Sequence, residues 1–147
     1  MQDAHVLLPD MSELLSFTSV VLAVFDGHGG ARASRFAAEN LHLNLARKFP
    51  TGESENLEKL IKKSLLDTFK QTDEDFLKKA SSQKPAWKDG STATCALVVD
   101  DTVYVANLGD SRVHQTFISD GHRQTLFWLI VAESRRDIPT SGEWPLL

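Results

Sequence analysis

The stretch Val20–Gly30, V-V-L-A-V-F-D-G-H-G-G, constrains this chain more than any other. Its first six residues are apolar and mostly β-branched or aromatic, and too few for an ordinary helix. They read as a strand buried on both faces. The run stops at Asp26, and Gly27, His28, Gly29 and Gly30 follow. Glycines at a strand end let backbone approach a ligand closely. A helical pattern begins at Ala31, and its positive end would face that ligand. A carboxylate, an imidazole and bare backbone in one turn predict chemistry there; the alternative is a tight turn and nothing more.

At 147 residues the chain is one domain or part of one. Its hydrophobic fraction of 41% and charged fraction of 24% are those of a soluble globular protein. A net charge of −4 argues against a nucleic-acid binder, which would show a basic face. Cys95 is the one cysteine and has no internal disulfide partner, which fits a reducing compartment. No basic-then-apolar leader opens the chain. The apolar run Leu126–Ala132 falls far short of the ~20 residues of a membrane span. The expectation is an intracellular protein, cytoplasmic or nuclear, with no membrane and no nucleic acid among its partners.

Asp3 and His5 alternate with Ala4 and Val6 as on a strand, which Pro9-Asp10 ends. Met11–Ser19 reads as a connection. Ala33, Phe36, Ala37, Leu41, Leu45 and Phe49 fall at spacings of three and four, the apolar stripe of a helix over 31–49. Pro50-Thr51-Gly52 ends it. A second helix is predicted from Glu55 to Ala80, with Leu57, Leu60, Ile61, Leu65, Phe69 and Phe76 inward. Lys59, Lys62, Lys63 and Lys70 lie among acids on a solvated face. Ser81–Gly90 is a loop, in which Trp87 either caps the core edge or serves as a recognition aromatic. From Ser91 the period becomes two, a central strand that Asp100-Asp101 turns back over Thr102–Asn107. Val113–Leu147 holds apolar residues in no sustained period and receives no role. Strand, strand, two long helices and a hairpin favour an α+β layered domain over a repeating βαβ fold.

Asp26 beside Gly27 suits a hard divalent cation, because carboxylate and carbonyl oxygens fit magnesium or manganese. Two such ions together would acidify a shared water and clamp a phosphoryl group. His28 would protonate a leaving alkoxide, since imidazole is the side-chain type suited to proton transfer at neutral pH. Asp3 and Asp110 are further acids at strand ends, each otherwise a turn residue. His5 either touches the site from the neighbouring strand or simply packs. Cys95, mid-strand among apolar neighbours, reads as an inert core thiol. Asp120-Gly121-His122 repeats D-G-H without a buried strand before it or Gly-Gly after it, so it reads as surface loop. A dinucleotide-binding loop fits poorly, since Arg32 stands where the third glycine of G-x-G-x-x-G belongs.

Four segments in order carry a joint pattern: M-Q-D-A-H at Met1–His5, V-F-D-G-H-G-G at Val24–Gly30, D-G-S-T-A at Asp89–Ala93 and N-L-G-D-S-R at Asn107–Arg112. Together they resemble the metal-dependent Ser/Thr protein phosphatases of the type 2C (PPM) family. The resemblance covers residues 1–112 and leaves 113–147 as an unrelated tail. It implies an α+β fold, part of a β-sandwich flanked by an antiparallel helix pair. It also implies metal-dependent hydrolysis of phosphoserine and phosphothreonine in proteins, with two Mg2+ or Mn2+ ions in the complete domain. Asp26 would bridge both ions, the Gly27 carbonyl would bind one, and Asp3 would join the metal-water shell. His28 would be the general acid, and the Gly90–Ala93 and Gly109–Arg112 segments framework. Implied partners are phosphoprotein substrates and integrin-linked kinase or another kinase-pathway protein.

The chain also departs from that family. Gln2-Asp3 stands where the family has Glu-Asp. The arginine that grips substrate phosphate would precede Met1. The later Asp-His-Lys-Pro, Asp-Gly-x-x-Asp and Asp-Asn segments, which supply the remaining metal carboxylates, do not occur in Val113–Leu147. The expectation is therefore a truncated form, weak or inactive as an enzyme, with apolar sheet surface left uncovered and marginal stability. The alternative is a non-catalytic binding or decoy module that keeps the outer helices.

Overall fold

The computed structural model describes residues 2–12, 19–52, 54–119 and 124–131, with 113–119 and 124–131 described by backbone alone. Its elements run β1 (Ala4–Leu8), β2 (Ser19–Phe25), β3 (Gly27–His28), α1 (Arg32–Lys48), α2 (Leu57–Ser81), β4 (Gly90–Ser91), β5 (Ala93–Val99), β6 (Thr102–Leu108), β7 (Arg112–Ser119) and β8 (Gln124–Val131). The main sheet is four-stranded and antiparallel, in the order β1-β2-β5-β6. The α+β expectation holds.

Period-two patterning places Ser19, Val21, Ala23 and Phe25 of β2 on the face that packs under the helices, where all four are buried. Their alternates Val20, Leu22 and Val24 are only half-buried. The expectation of a strand buried on both faces is thus corrected: the helices cover one side of the sheet. Cys95, Leu97 and Val99 of β5 join the same core with Leu41 and Leu45 from α1 and Ile61 and Leu65 from α2. Burying each large aliphatic side chain is worth about 1.5–3 kcal/mol, so this core is the main stabilising element.

The helices run antiparallel, since Phe36 meets Phe76 while Asn44 further along α1 donates to Thr72 at 3.1 Å. Arg47 and Lys48 in the last turn of α1 complement its dipole, and Pro50 follows its end. On α2, Ile61, Leu65 and Phe76 are buried as expected, but Leu60 is not inward; it is 39% exposed. Lys62 and Lys63 pair with Glu58 and Asp67 one turn away on the outer face, exposed contacts that add little to stability.

The β5–β6 hairpin turns at Asp100, whose φ of 50° supplies the left-handed residue without glycine. Arg112–Ser119 and Gln124–Val131 form a further antiparallel hairpin, an element the sequence pattern did not predict. Asp120-Gly121-His122 lies outside the described residues. Among the described residues no helix is long and apolar enough to cross a membrane.

Candidate functional site

Asp26 is the first residue past β2, and its backbone is held on both sides by one residue. Thr92 N–H donates to the Asp26 carbonyl at 2.9 Å, and Asp26 N–H donates to Thr92 Oγ1 at 3.2 Å. Ser91 Oγ donates to the same carbonyl at 3.2 Å. Thr92 Oγ1 in turn lies 2.8 Å from Ser111 Oγ, which is buried. The D-G-S-T-A and G-D-S-R segments are thereby tied to each other and to Asp26. With its backbone fully engaged, Asp26 keeps its carboxyl for other partners.

That carboxyl meets Asp3. The β1–β2 register pairs Ala4 with Phe25, so Asp3 and Asp26 are the next residues out on adjacent strands. Burial holds the Asp26 pKa above its ordinary value, the Asp3 charge and a hydrogen bond with Asp3 raise it further, and Asp110 adds to this. The His28 charge opposes the rise. Asp110 therefore belongs to the same electrostatic cluster, although among the described residues no three His, Cys, Asp or Glu side chains gather closely enough to hold a metal ion. Two neighbouring acids whose charges oppose each other form an oxygen donor set that a hard cation would satisfy.

The glycines are required by close contacts. A β-carbon on Gly27 would overlap the Gln2 carbonyl oxygen, which also accepts from Ser34 Oγ. One on Gly90 would overlap the His28 ring, so the imidazole lies against Gly90, its partner across β3–β4. His28 is exposed. His5 is exposed opposite Val24 and takes no part in the acid cluster. Cys95 is buried, and desolvation pushes its thiol up to about 12, so it stays protonated in the core as expected.

One expectation about this site is corrected. The start of α1 is not open to an anionic ligand at its first amide, because the Asp89 carboxylate accepts from Arg32 N–H at 3.0 Å. The same carboxylate takes Arg32 Nε at 2.9 Å and Arg32 Nη2 at 2.8 Å. Burial would raise the Asp89 pKa, but its hydrogen bonds and ion pair with Arg32 outweigh that and leave it lowered. Trp87 completes the unit, with the Arg32 guanidinium 4.9 Å from its ring and Phe76 beneath, so it caps the core edge. Sequence spacing could not reveal this pair, whose members are far apart in the chain.

A family model described as protein phosphatase 2C matches residues 1–116. The integrin-linked kinase-associated serine/threonine phosphatase 2C of Homo sapiens is 64% identical over 118 residues, covering 76% of this chain and 30% of the human protein. A probable protein phosphatase 2C of Arabidopsis thaliana is 40% identical over 116 residues, covering 76% of this chain and 32% of the plant protein. The chain spans about a third of the length of these curated relatives. The crystal structure of a serine-threonine phosphatase 2C from Toxoplasma gondii shares the fold with a TM-score of 0.66 at 21% identity, covering 94% of this chain and 47% of that one.

Proposed function

The chain belongs to the protein phosphatase 2C family, and from that premise we propose that it serves metal-dependent hydrolysis of phosphoserine and phosphothreonine in proteins. The observation that carries this reading is the Asp3–Asp26 acid pair, set by β1–β2 register and pinned by Thr92. In this proposal Asp26, the Gly27 carbonyl and Asp3 hold magnesium or manganese. When bound, such an ion supplies charge that neutralises a phosphoryl group and acidifies water. His28, exposed and backed by Gly90, donates the proton that the leaving serine or threonine oxygen needs. Phosphoproteins are the proposed substrates, and integrin-linked kinase or another kinase-pathway protein the proposed partner.

A second reading is a binding module without catalysis. It is favoured by the acid cluster itself, in which among the described residues no three His, Cys, Asp or Glu side chains gather closely enough to hold a metal ion. Manganese-dependent hydrolysis of a phosphothreonine peptide separates the two. Turnover above background that disappears in Asp26→Ala supports the phosphatase. No turnover from chain shown to be folded by circular dichroism supports the module.

A further inference from the structure

The end of α2 and the loop after it carry positive charge that nothing neutralises. Residues 78–88, K-K-A-S-S-Q-K-P-A-W-K, hold Lys78, Lys79, Lys84 and Lys88 and no acid, in a chain whose net charge is −4. All of these lysines are exposed, and among the described residues none makes a salt bridge. The rest of α2 is built the other way, since Lys62, Lys63 and Lys70 each pair with an acid one turn away. The acids nearest the last turn are already engaged. Glu74 pairs with Lys70, and Asp75 accepts from Asn44 at 3.3 Å and from Gln71 at 3.1 Å. Asp89 is buried and taken by Arg32. The loop itself is held in place: the Gln83 and Trp87 N–H groups both donate to the Ala80 carbonyl, at 3.3 and 3.2 Å. Lys79 Nζ stands 5.3 Å from the Phe36 ring and 6.0 Å from that of Trp87, which is half-buried. The loop then runs straight to the candidate site. The Lys88 carbonyl lies 3.3 Å from where a β-carbon on Gly29 would stand, and Gly90, two residues on, backs His28.

We propose that Lys79, Lys84 and Lys88, with Trp87 among them, form a subsite for acidic residues that flank the phosphoserine or phosphothreonine of a protein substrate. This subsite rests on the phosphatase reading of the neighbouring site and adds a sequence preference to it. Neighbouring cations without counter-charges repel one another, and carboxylates or a second phosphate would relieve them. Lysines in a last turn also complement the helix dipole, but that accounts for Lys78 and Lys79 alone; Lys84 and Lys88 lie beyond the end of α2. An extended peptide advances about 3.3 Å per residue. With its phosphorylated residue at His28, it would pass Lys88 within about two or three positions and reach the other lysines further on. The indole of Trp87 offers apolar surface to the side chains between those acids. That course from loop to site favours a peptide over a flat anionic surface.

Fluorescence polarisation of labelled peptides on the 147-residue chain, with manganese present, tests it. The probes are a threonine peptide with glutamates on both sides and the same peptide with glutamines, each with and without phosphate on the threonine. The glutamate peptides should bind about tenfold tighter than the glutamine ones at about 50 mM salt, and the gap should narrow at about 500 mM. Lys79→Glu with Lys88→Glu should close the gap, leave the glutamine phosphopeptide unaffected and keep the circular dichroism spectrum unchanged. Lys62→Glu with Lys63→Glu makes the same change in net charge and should keep the gap. Equal binding of glutamate and glutamine peptides overturns the subsite, as does equal loss in the two double variants. Affinity for phosphatidylserine vesicles that depends on Lys79 and Lys88, without a glutamate preference, would assign the patch to a lipid surface and overturn it too. The phosphatase reading is judged separately, by dependence on the phosphate and its loss in Asp26→Ala. A glutamate gap without phosphate dependence would keep the acid-binding patch and remove the phosphatase reading.

Discussion

Asp26 and Asp3 stand at the neighbouring ends of β2 and β1, where burial and the Asp3 charge hold the Asp26 pKa above its ordinary value. The folded pKa of Asp26 lies above its unfolded value, so the fold binds more protons than the unfolded chain. Stability is fully present below the ordinary aspartate value of 3.8 and is lost as pH rises through the raised value. In metal-free protein at neutral pH, Asp26→Asn should therefore melt higher than the parent. The gain should vanish near pH 3, and manganese should stabilise only the parent. Thermal melts at both pH values, with and without manganese, check all three outcomes.

Thr92 is the joint between segments. Its hydroxyl accepts from Asp26 N–H and bonds to buried Ser111 Oγ, so the isosteric Thr92→Val leaves two polar groups without partners. Each such loss costs about 1–3 kcal/mol. Urea denaturation should show a loss of roughly 2–4 kcal/mol for Thr92→Val and less than about 1 kcal/mol for Thr92→Ser, which keeps the oxygen. A loss as large in Thr92→Ser would mean that the methyl group, not the hydroxyl, holds this corner together.

Asp89 should act at the opposite limb of the pH profile. Its folded pKa is lowered, so its contribution is present above the ordinary value of 3.8 and lost as pH falls through the lowered one. Asp89→Asn should weaken the fold at pH 7 by about 1–2 kcal/mol, through loss of the charged contacts to Arg32 and the start of α1. The deficit should shrink as pH is lowered. Gly30→Ala should mimic it, because a β-carbon at Gly30 would overlap the Asp89 carboxylate. Denaturation curves at pH 7 and pH 3 for both variants make the comparison.

These contacts also mark how far the sequence could be read. Local periodicity sufficed for α1, α2 and the β5–β6 hairpin, because each buries one face and its period shows it. Asp3 and Asp26 could be placed at strand ends from sequence, but their contact depends on β1–β2 register, which no short-range pattern encodes. The Arg32–Asp89 clamp escaped for the same reason, and it overturned the expectation of an open helix start. β7 and β8 were missed differently. Thr125–Val131, T-L-F-W-L-I-V, is apolar at all but its first position, which hides any alternation. Leu60 was assigned inward by spacing alone, yet it sits at the margin of the helical stripe.

Metal affinity is the sharpest consequence of the Asp3–Asp26 pair. Oxygen-ligand sites tighten with the number and charge of their ligands, and weak calcium sites already lie near ~10⁻⁴–10⁻³ M. Magnesium is more demanding in geometry and sheds water reluctantly. Among the described residues two carboxylates meet. Manganese should therefore bind as a single ion at about millimolar Kd or weaker. Calorimetric titration reads affinity and stoichiometry together. Asp26→Asn should abolish the heat, and Asp110→Asn, which removes a cluster charge without a direct hydrogen bond to Asp26, should weaken binding by only about threefold. Two ions bound at micromolar affinity would require further ligands from residues 113–147, and Asp120 and Glu133 would be the first to replace.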